Sequence, residues 1–219
     1  MNYISAHLWE KGKEHTTGIS LILQHASVCK REVLLACVCE SENTGEEGVT
    51  ESGYFSEGLT EWFHREGVKL CEKCKLTDAP GEKVYEEIRR LEEEIAAYLQ
   101  KVGKETQLHY AGVLLWENRA WFFTKGECKG YLLNRRFQKK NVREILQKNG
   151  YESCFVACSV QKKVGLLLCT ENFGKEVDRE NMAEVLMPDG KVTEERMEKR
   201  LKELCKDTES VGAIYLRIC

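Results

Sequence analysis

Three apolar runs of strand length follow one another before any helical pattern appears: "NYISAHLW" (2–9), "GISLILQHA" (18–26) and "EVLLACVCE" (32–40). Apolar residues recurring at period two within four to eight positions argue for strands with one face turned to a core. The pattern then changes. In "VTESGYFSEGLTEWFHRE", Phe55, Leu59, Trp62 and Phe63 stand at i, i+4, i+7 and i+8, one face of a helix. "GVKLCEKCKLTD" reads as a connection. Asp78 followed by Pro80 marks a helix start, and the helix runs from about 80 to 102 with Val84, Ile88, Leu91, Ile95 and Tyr98 as its apolar stripe.

After Gly103 the strand period returns. "LHYAGVLLWENRAWFFTKGECKGYLL" predicts three antiparallel strands joined by tight turns at "ENR" and "GEC". "VREILQK" predicts a short helix, and "SCFVACSVQ" and "VGLLLCTENF" two more strands. Helices follow around 175–187 and 193–206, the second opened by Thr193 with Glu194 and Glu195 in its first turn. "SVGAIYLRI" is the last strand. Strands, a helix pair, strands, a second helix pair and a final strand predict an α+β fold: an α-β-β-α sandwich of two antiparallel sheets flanked by helix pairs. With no repeat or linker in its 219 residues, the chain is expected to form one domain, 1–219.

Composition narrows the partners. With 33 basic against 36 acidic side chains, the net charge of −3 gives no basic excess for nucleic acid or an anionic membrane. The opening "MNYISAHLWEKGKEH" lacks the apolar run of a signal peptide. A cytoplasmic setting is therefore expected, in which the 11 cysteines stay reduced. Cys37, Cys39, Cys154, Cys158 and Cys169 lie in apolar runs, where a thiol packs as a small hydrophobe. Cys71 and Cys74 form a single C-x-x-C. A structural zinc site ordinarily adds a second pair or spaced histidines, and His7, His15, His25, His64 and His109 have no such spacing.

The order of motifs resembles the metal-dependent serine/threonine protein phosphatases of the 2C (PPM) type. Those carry a strand ending in Asp-Gly-Met-Gly-Gly, a loop with a later glycine, and an amphipathic helix. "LLACVCESENTGEEGVTESGYFSEGLTEWF" has that layout, with Glu40 at the acid and Gly48 at the glycine. Gly126-Glu127-Cys128-Lys129 stands in the register of Gly-Asp-Ser-Arg, "LLLCTENF" (166–173) in that of Leu-Leu-Leu-Cys-Ser-Asp-Gly-Phe, and Glu209 where a closing Asp-Asn precedes the last strand.

The resemblance implies two Mn²⁺ or Mg²⁺ ions that activate a bridging water for attack on phosphorus. It implies Glu40 as the bridging acid, Glu171 and Glu209 on the second ion, and Glu127 beside them. Only four acidic residues in the chain are aspartate (Asp78, Asp178, Asp189, Asp207), and none stands at these places. Each glutamate keeps the charge but adds a methylene, about 1.5 Å of reach. Misplacement by about 1 Å costs on the order of 100-fold in rate. Ser41-Glu42-Asn43-Thr44 also replaces the glycines of the acid loop, Gln107-Leu108-His109 replaces a Gly-Thr-Thr, and Asn172 replaces a glycine. The N-terminal Arg-x-x-Asn-Glu/Gln-Asp is missing, leaving Lys11 and Lys13 as weak phosphate-binding cations.

Two functions stand open on these residues. One is a pseudophosphatase, a binding or regulatory module for a protein partner such as a phosphoprotein or a kinase. The other is an active phosphoserine/phosphothreonine phosphatase that uses glutamate for aspartate with two Mn or Mg ions. A zinc or thiol-redox protein built on Cys71 and Cys74 is a third, distant reading.

Overall fold

The computed structural model describes residues 3–10, 17–28, 31–42, 51–73, 79–101, 103–133, 139–141, 155–159, 164–179, 193–205 and 210–219. The predicted helix over "VREILQK" lies outside them, as do Asp78, Lys11, Lys13 and Glu209.

The predicted sandwich is present: two antiparallel five-stranded sheets lie face to face with helices on the outer face of each. In one sheet the order is β2 (Thr17–Val28), β3 (Arg31–Glu42), β4 (His109–Trp116), β5 (Arg119–Lys125), β8 (Phe155–Ser159). In the other it is β1 (Tyr3–Glu10), β10 (Val211–Ile218), β9 (Gly165–Cys169), β6 (Lys129–Leu133), β7 (Lys139–Asn141). The helices α1 (Glu51–Trp62) and α3 (Ala79–Lys101) cover the first sheet. The second is covered by α4 (Glu171–Arg179) and α5 (Glu194–Glu203).

The central strands are buried on both faces, so adjacent residues enter different cores. Trp121 and Phe123 pack under the helices, while Phe122 between them packs against the other sheet. On β3, Leu35, Cys37 and Cys39 take the helix side, and Leu34, Ala36 and Val38 the inter-sheet side. A strand so placed must be apolar at nearly every position. Full burial of a Leu or Phe side chain contributes roughly 1.5–3 kcal/mol, and both layers draw on it.

Helix α3 corrects one expected position. Val84, Ile88, Leu91 and Ile95 are buried, but Tyr98 is 60% exposed and Leu99 takes its place in the core at 4%. The stripe thus closes with a step of four, the drift of a straight helix at 3.6 residues per turn rather than a coiled-coil seam at 3.5. The stretch read as a connection after residue 66 is also partly helical. Helix α1 passes through a π turn at Phe63–Gly67 into α2 (Val68–Lys73). That turn lets the consecutive rings of Trp62 and Phe63 both reach the core, with Gly67 against the indole.

Two further expectations change. β6 does not continue a three-stranded meander with β5 but pairs with β9 and β7 in the opposite sheet. The segment "VGLLLCTENF" is a strand only to Cys169, and α4 starts already at Glu171. As expected, Thr193 caps α5, its Oγ1 accepting from the Arg196 N–H at 3.4 Å. No helix among the described residues is long and apolar enough to cross a membrane.

Close packing leaves no room at Gly112, on β4 opposite Phe123. A Cβ there would lie 2.1 Å from Phe123 Cε2. Gly112→Ala is therefore expected to destabilise the fold by about 1–3 kcal/mol in urea unfolding. Phe123→Leu in the same chain should recover part of that loss, which a double-mutant cycle reads directly. Strict additivity would refute the clash.

Candidate functional site

The chemistry-bearing residues gather where strands of the two sheets end together. Glu40 lies near the end of β3, paired in register with Ile19 on β2 and His109 on β4. Strand alternation turns these residues to the inter-sheet side, because their neighbours Cys39 and Tyr110 belong to the helix-side core. From the opposite sheet, β9 ends at Cys169, and Thr170 leads into α4.

Thr170 is fully buried and binds the start of β10 through both backbone and side chain. Its N–H donates to the Gly212 carbonyl at 3.0 Å, and its Oγ1 accepts from the Gly212 N–H at 3.1 Å. Occupied in this way, the hydroxyl leaves the first N–H of α4 to another acceptor. Glu40 supplies it from across the sandwich: the Glu171 N–H donates to Glu40 Oε2 in a long hydrogen bond of 3.4 Å. A carboxylate at a helix N-terminus also meets the positive end of the helix dipole. Glu40 is only 7% exposed, so this carboxylate is part of the joint between the sheets.

The other expected ligands are placed differently. The Glu171 carboxylate turns along its own helix to Lys175, 2.9 Å away. Glu127 is exposed, in the turn between β5 and β6. Glu209 and the two weak phosphate-binding candidates, Lys11 and Lys13, lie outside the described residues. Thus the structure brings Glu40 to the backbone of Glu171. Among the described residues no three His, Cys, Asp or Glu side chains converge as a metal would need. A two-metal cage requires several oxygens at about 2.0–2.2 Å from each ion, and the described donors Glu40, Glu127 and Glu171 do not form one by themselves.

Two residues that motif reading passed over shape this end of the molecule. His109 sits beneath the β5–β6 turn. Gly126 there adopts φ of 64°, and a Cβ on it would lie 2.5 Å from the imidazole Cδ2. Glycine is needed at Gly126 on both counts, backbone and space. The second is Glu51, 8% exposed in the first turn of α1. Its carboxylate accepts from Thr106 Oγ1 at 2.7 Å and from the Gln107 N–H at 3.2 Å, holding the segment before β4 against α1. An acid in the first turn of a helix was a signal available for Glu51; His109 was noted only as part of the stretch that replaces a Gly-Thr-Thr, and its place beneath Gly126 follows from strand register.

Of the described thiols, Cys37, Cys39, Cys128 and Cys169 are buried packing groups, while Cys205 is half-buried and Cys219 exposed. Cys37 and Cys39 are fully buried with their sulfurs 3.5 Å apart, and burial first, then Cys39, pushes the Cys37 thiol well above its ordinary pKa. A thiol so shifted is a poor nucleophile and a poor metal ligand. Cys71 falls in α2 and Cys74 outside the described residues.

No protein-family profile and no curated protein matches the chain. Solved structures do. The Mycobacterium tuberculosis serine/threonine phosphatase PstP/Ppp superposes with a TM-score of 0.67 at 14% identity, over 99% of this chain and 98% of that one. A structure of the PstP catalytic domain in complex with two manganese ions gives 0.68, also at 14%. PppA, described as a key regulatory component of T6SS in Pseudomonas aeruginosa, gives 0.64 at 14%, over 100% and 99% of the two chains.

Removing the Glu51 carboxylate takes away an acceptor used by both the Thr106 hydroxyl and the Gln107 N–H. Glu51→Ala should therefore cost about 1–3 kcal/mol in denaturant unfolding at neutral pH. An unchanged midpoint would show that another group holds the 103–108 segment.

Proposed function

We propose that this chain, which has the fold of the 2C-type serine/threonine protein phosphatases, is a pseudophosphatase: a binding or regulatory module for a protein partner such as a phosphoprotein or a kinase. The observation that carries the reading is the use made of Glu40. The acid that the resemblance assigns to bridging two metals accepts a hydrogen bond from the first N–H of α4. Of its expected companions, Glu171 turns to Lys175 and Glu127 to solvent. PppA, a protein of this fold, is described as a key regulatory component, which supports a regulatory role here. A cytoplasmic setting belongs to the same reading.

Calorimetric titration of the purified protein with MnCl₂ tests it, together with p-nitrophenyl phosphate hydrolysis. The expected result is no saturable two-site heat, and turnover at the buffer rate with or without Mn²⁺. Mn²⁺-dependent hydrolysis abolished by Glu40→Ala with Glu171→Ala would instead establish an active phosphatase using glutamate ligands. Such an enzyme would have the metals activate the attacking water and stabilise the charged phosphoryl oxygens.

Stability gives a second readout that needs no metal. An acid serving as a joint is lost at a cost, so Glu40→Ala should lower unfolding free energy by about 1 kcal/mol. An acid held among other carboxylates to await a cation would do the reverse, since its removal relieves repulsion. Thermal unfolding in EDTA separates the two by sign.

A further inference from the structure

We infer that the flank of the sandwich formed by β1 and β2 is a two-fold interface between two copies of this chain. Each of these strands is the outermost of its sheet, and they lie on the same side of the molecule. The Tyr3 ring meets the His25 ring edge-on at 5.8 Å. Farther along, Trp9 stands in register with Gly212, and a Cβ on Gly212 would lie 2.8 Å from Ile19 Cγ2. Residues directly opposite in a ladder share a face, so Trp9 is on the inter-sheet side, next to Ile19. It is nonetheless 55% exposed. Tyr3, Leu21 and Leu23 are only half-buried at the rim of the inter-sheet core.

The backbone of β2 selects the occupant. In an antiparallel ladder alternate residues turn their N–H and C=O groups outward, so about half of this 12-residue strand faces away from β3. Outside the ladder, the hydrogen bonds to β2 among the described residues are two. Ser52 Oγ donates to the Gly18 carbonyl at 2.9 Å, and His64 meets the Gln24 side chain at 3.0 Å. Exposed edges are normally blunted by charge, proline or shortness. The opposite flank follows that rule: β7 has three residues, of which Lys139 and Lys140 are charged, and β8 has five. β2 contains no Lys, Arg, Asp, Glu or Pro. With 32% of the chain charged, a stretch of its length would ordinarily carry about four such residues. An undefended edge takes up another strand through main-chain hydrogen bonds, and a second β2 running antiparallel brings no opposing charge. A two-fold axis near Ile22, at mid-strand, turns the Trp9 of each copy toward the Tyr3 of the other. The area suffices as well. A flank roughly 40 Å long and 20 Å deep offers on the order of 800 Å² per copy, the usual size of a specific interface.

The interface uses the flank and not the strand ends, so it stands apart from the pseudophosphatase reading. A monomer leaves that reading untouched, and an active enzyme could pair in the same way. Sedimentation of the full chain from about 1 to 100 μM should show a monomer–dimer equilibrium. Trp9→Lys should raise the dissociation constant of the dimer by about 10-fold or more. Tyr98→Lys makes the same kind of exchange at an aromatic ring exposed on α3, and should change it by less than about 2-fold. Hydrogen-exchange mass spectrometry locates the contact: dilution should speed exchange in residues 17–28 and leave the central strand 119–125 unchanged. A monomer throughout that range would overturn the inference, as would a dimer that the two variants weaken equally or exchange in 17–28 that ignores concentration. A chain that stays monomeric yet binds a peptide of residues 17–28 saturably would assign the edge to a strand of another protein, and the two-fold would be wrong.

Discussion

Burial of the central strands on both faces is the constraint from which the rest of this molecule follows. Each sheet meets its partner on one side and helices on the other, so β3, β4, β5, β9 and β10 have almost no position at which a polar side chain can reach water. Exceptions are expensive: an unpaired polar group in such a layer costs about 1–3 kcal/mol by mutational measure. The Trp121 Nε1 and the Tyr215 hydroxyl are exceptions, buried without a hydrogen bond, but most polar chemistry is thereby expelled to the strand ends. That is where Glu40, His109, Thr170 and Glu127 are found.

At those ends the same residues can serve either catalysis or cohesion, and side-chain length shifts the balance. Glutamate is one methylene longer than aspartate, and in this chain the extra reach carries Glu40 to the N-terminus of a helix on the opposing sheet. Thr170 stands at the head of that helix, but its side chain is bound to Gly212 and does not cap it. Charge thus stands where the resemblance expects it, and the Glu40 hydrogen bond runs between secondary-structure elements.

Much of the architecture was legible because two-sided burial and amphipathic helices write themselves into the residue pattern. Phe55, Leu59, Trp62 and Phe63 announced the buried face of α1, and the uninterrupted apolar run of Leu166–Cys169 a strand with no free face. The misses arose where geometry departs from a regular period. A π turn inserts one residue into the helical count at Phe63–Gly67, which hid the continuation into α2. Tyr98 and Leu99 are adjacent and both apolar, so a stripe read at three or four leaves the choice between them to helix drift. β6 looked like the third strand of a meander because a short turn usually joins neighbours, yet it crosses to the other sheet. At the site, Glu40 was identifiable from its loop, but the partner it would find was not. That partner is a backbone amide far along the chain, and no side-chain motif reports a backbone amide.

One feature of the strand order governs how the molecule can be made. β1 pairs along its whole length with β10, Tyr3 opposite Ile218 and Glu10 opposite Val211. The hairpins β2–β3 and β4–β5 join close neighbours in the chain, and their sheet can begin to assemble while translation continues. The other sheet cannot close until the ribosome has released Val211–Ile218. Until then β1 is an unpaired edge in a nascent polypeptide, exposed to the hazards of any unpaired strand. Loop-closure entropy for so distant a pairing slows the last step further. The half of the sandwich that supplies the helix held by Glu40 is therefore the half that matures last.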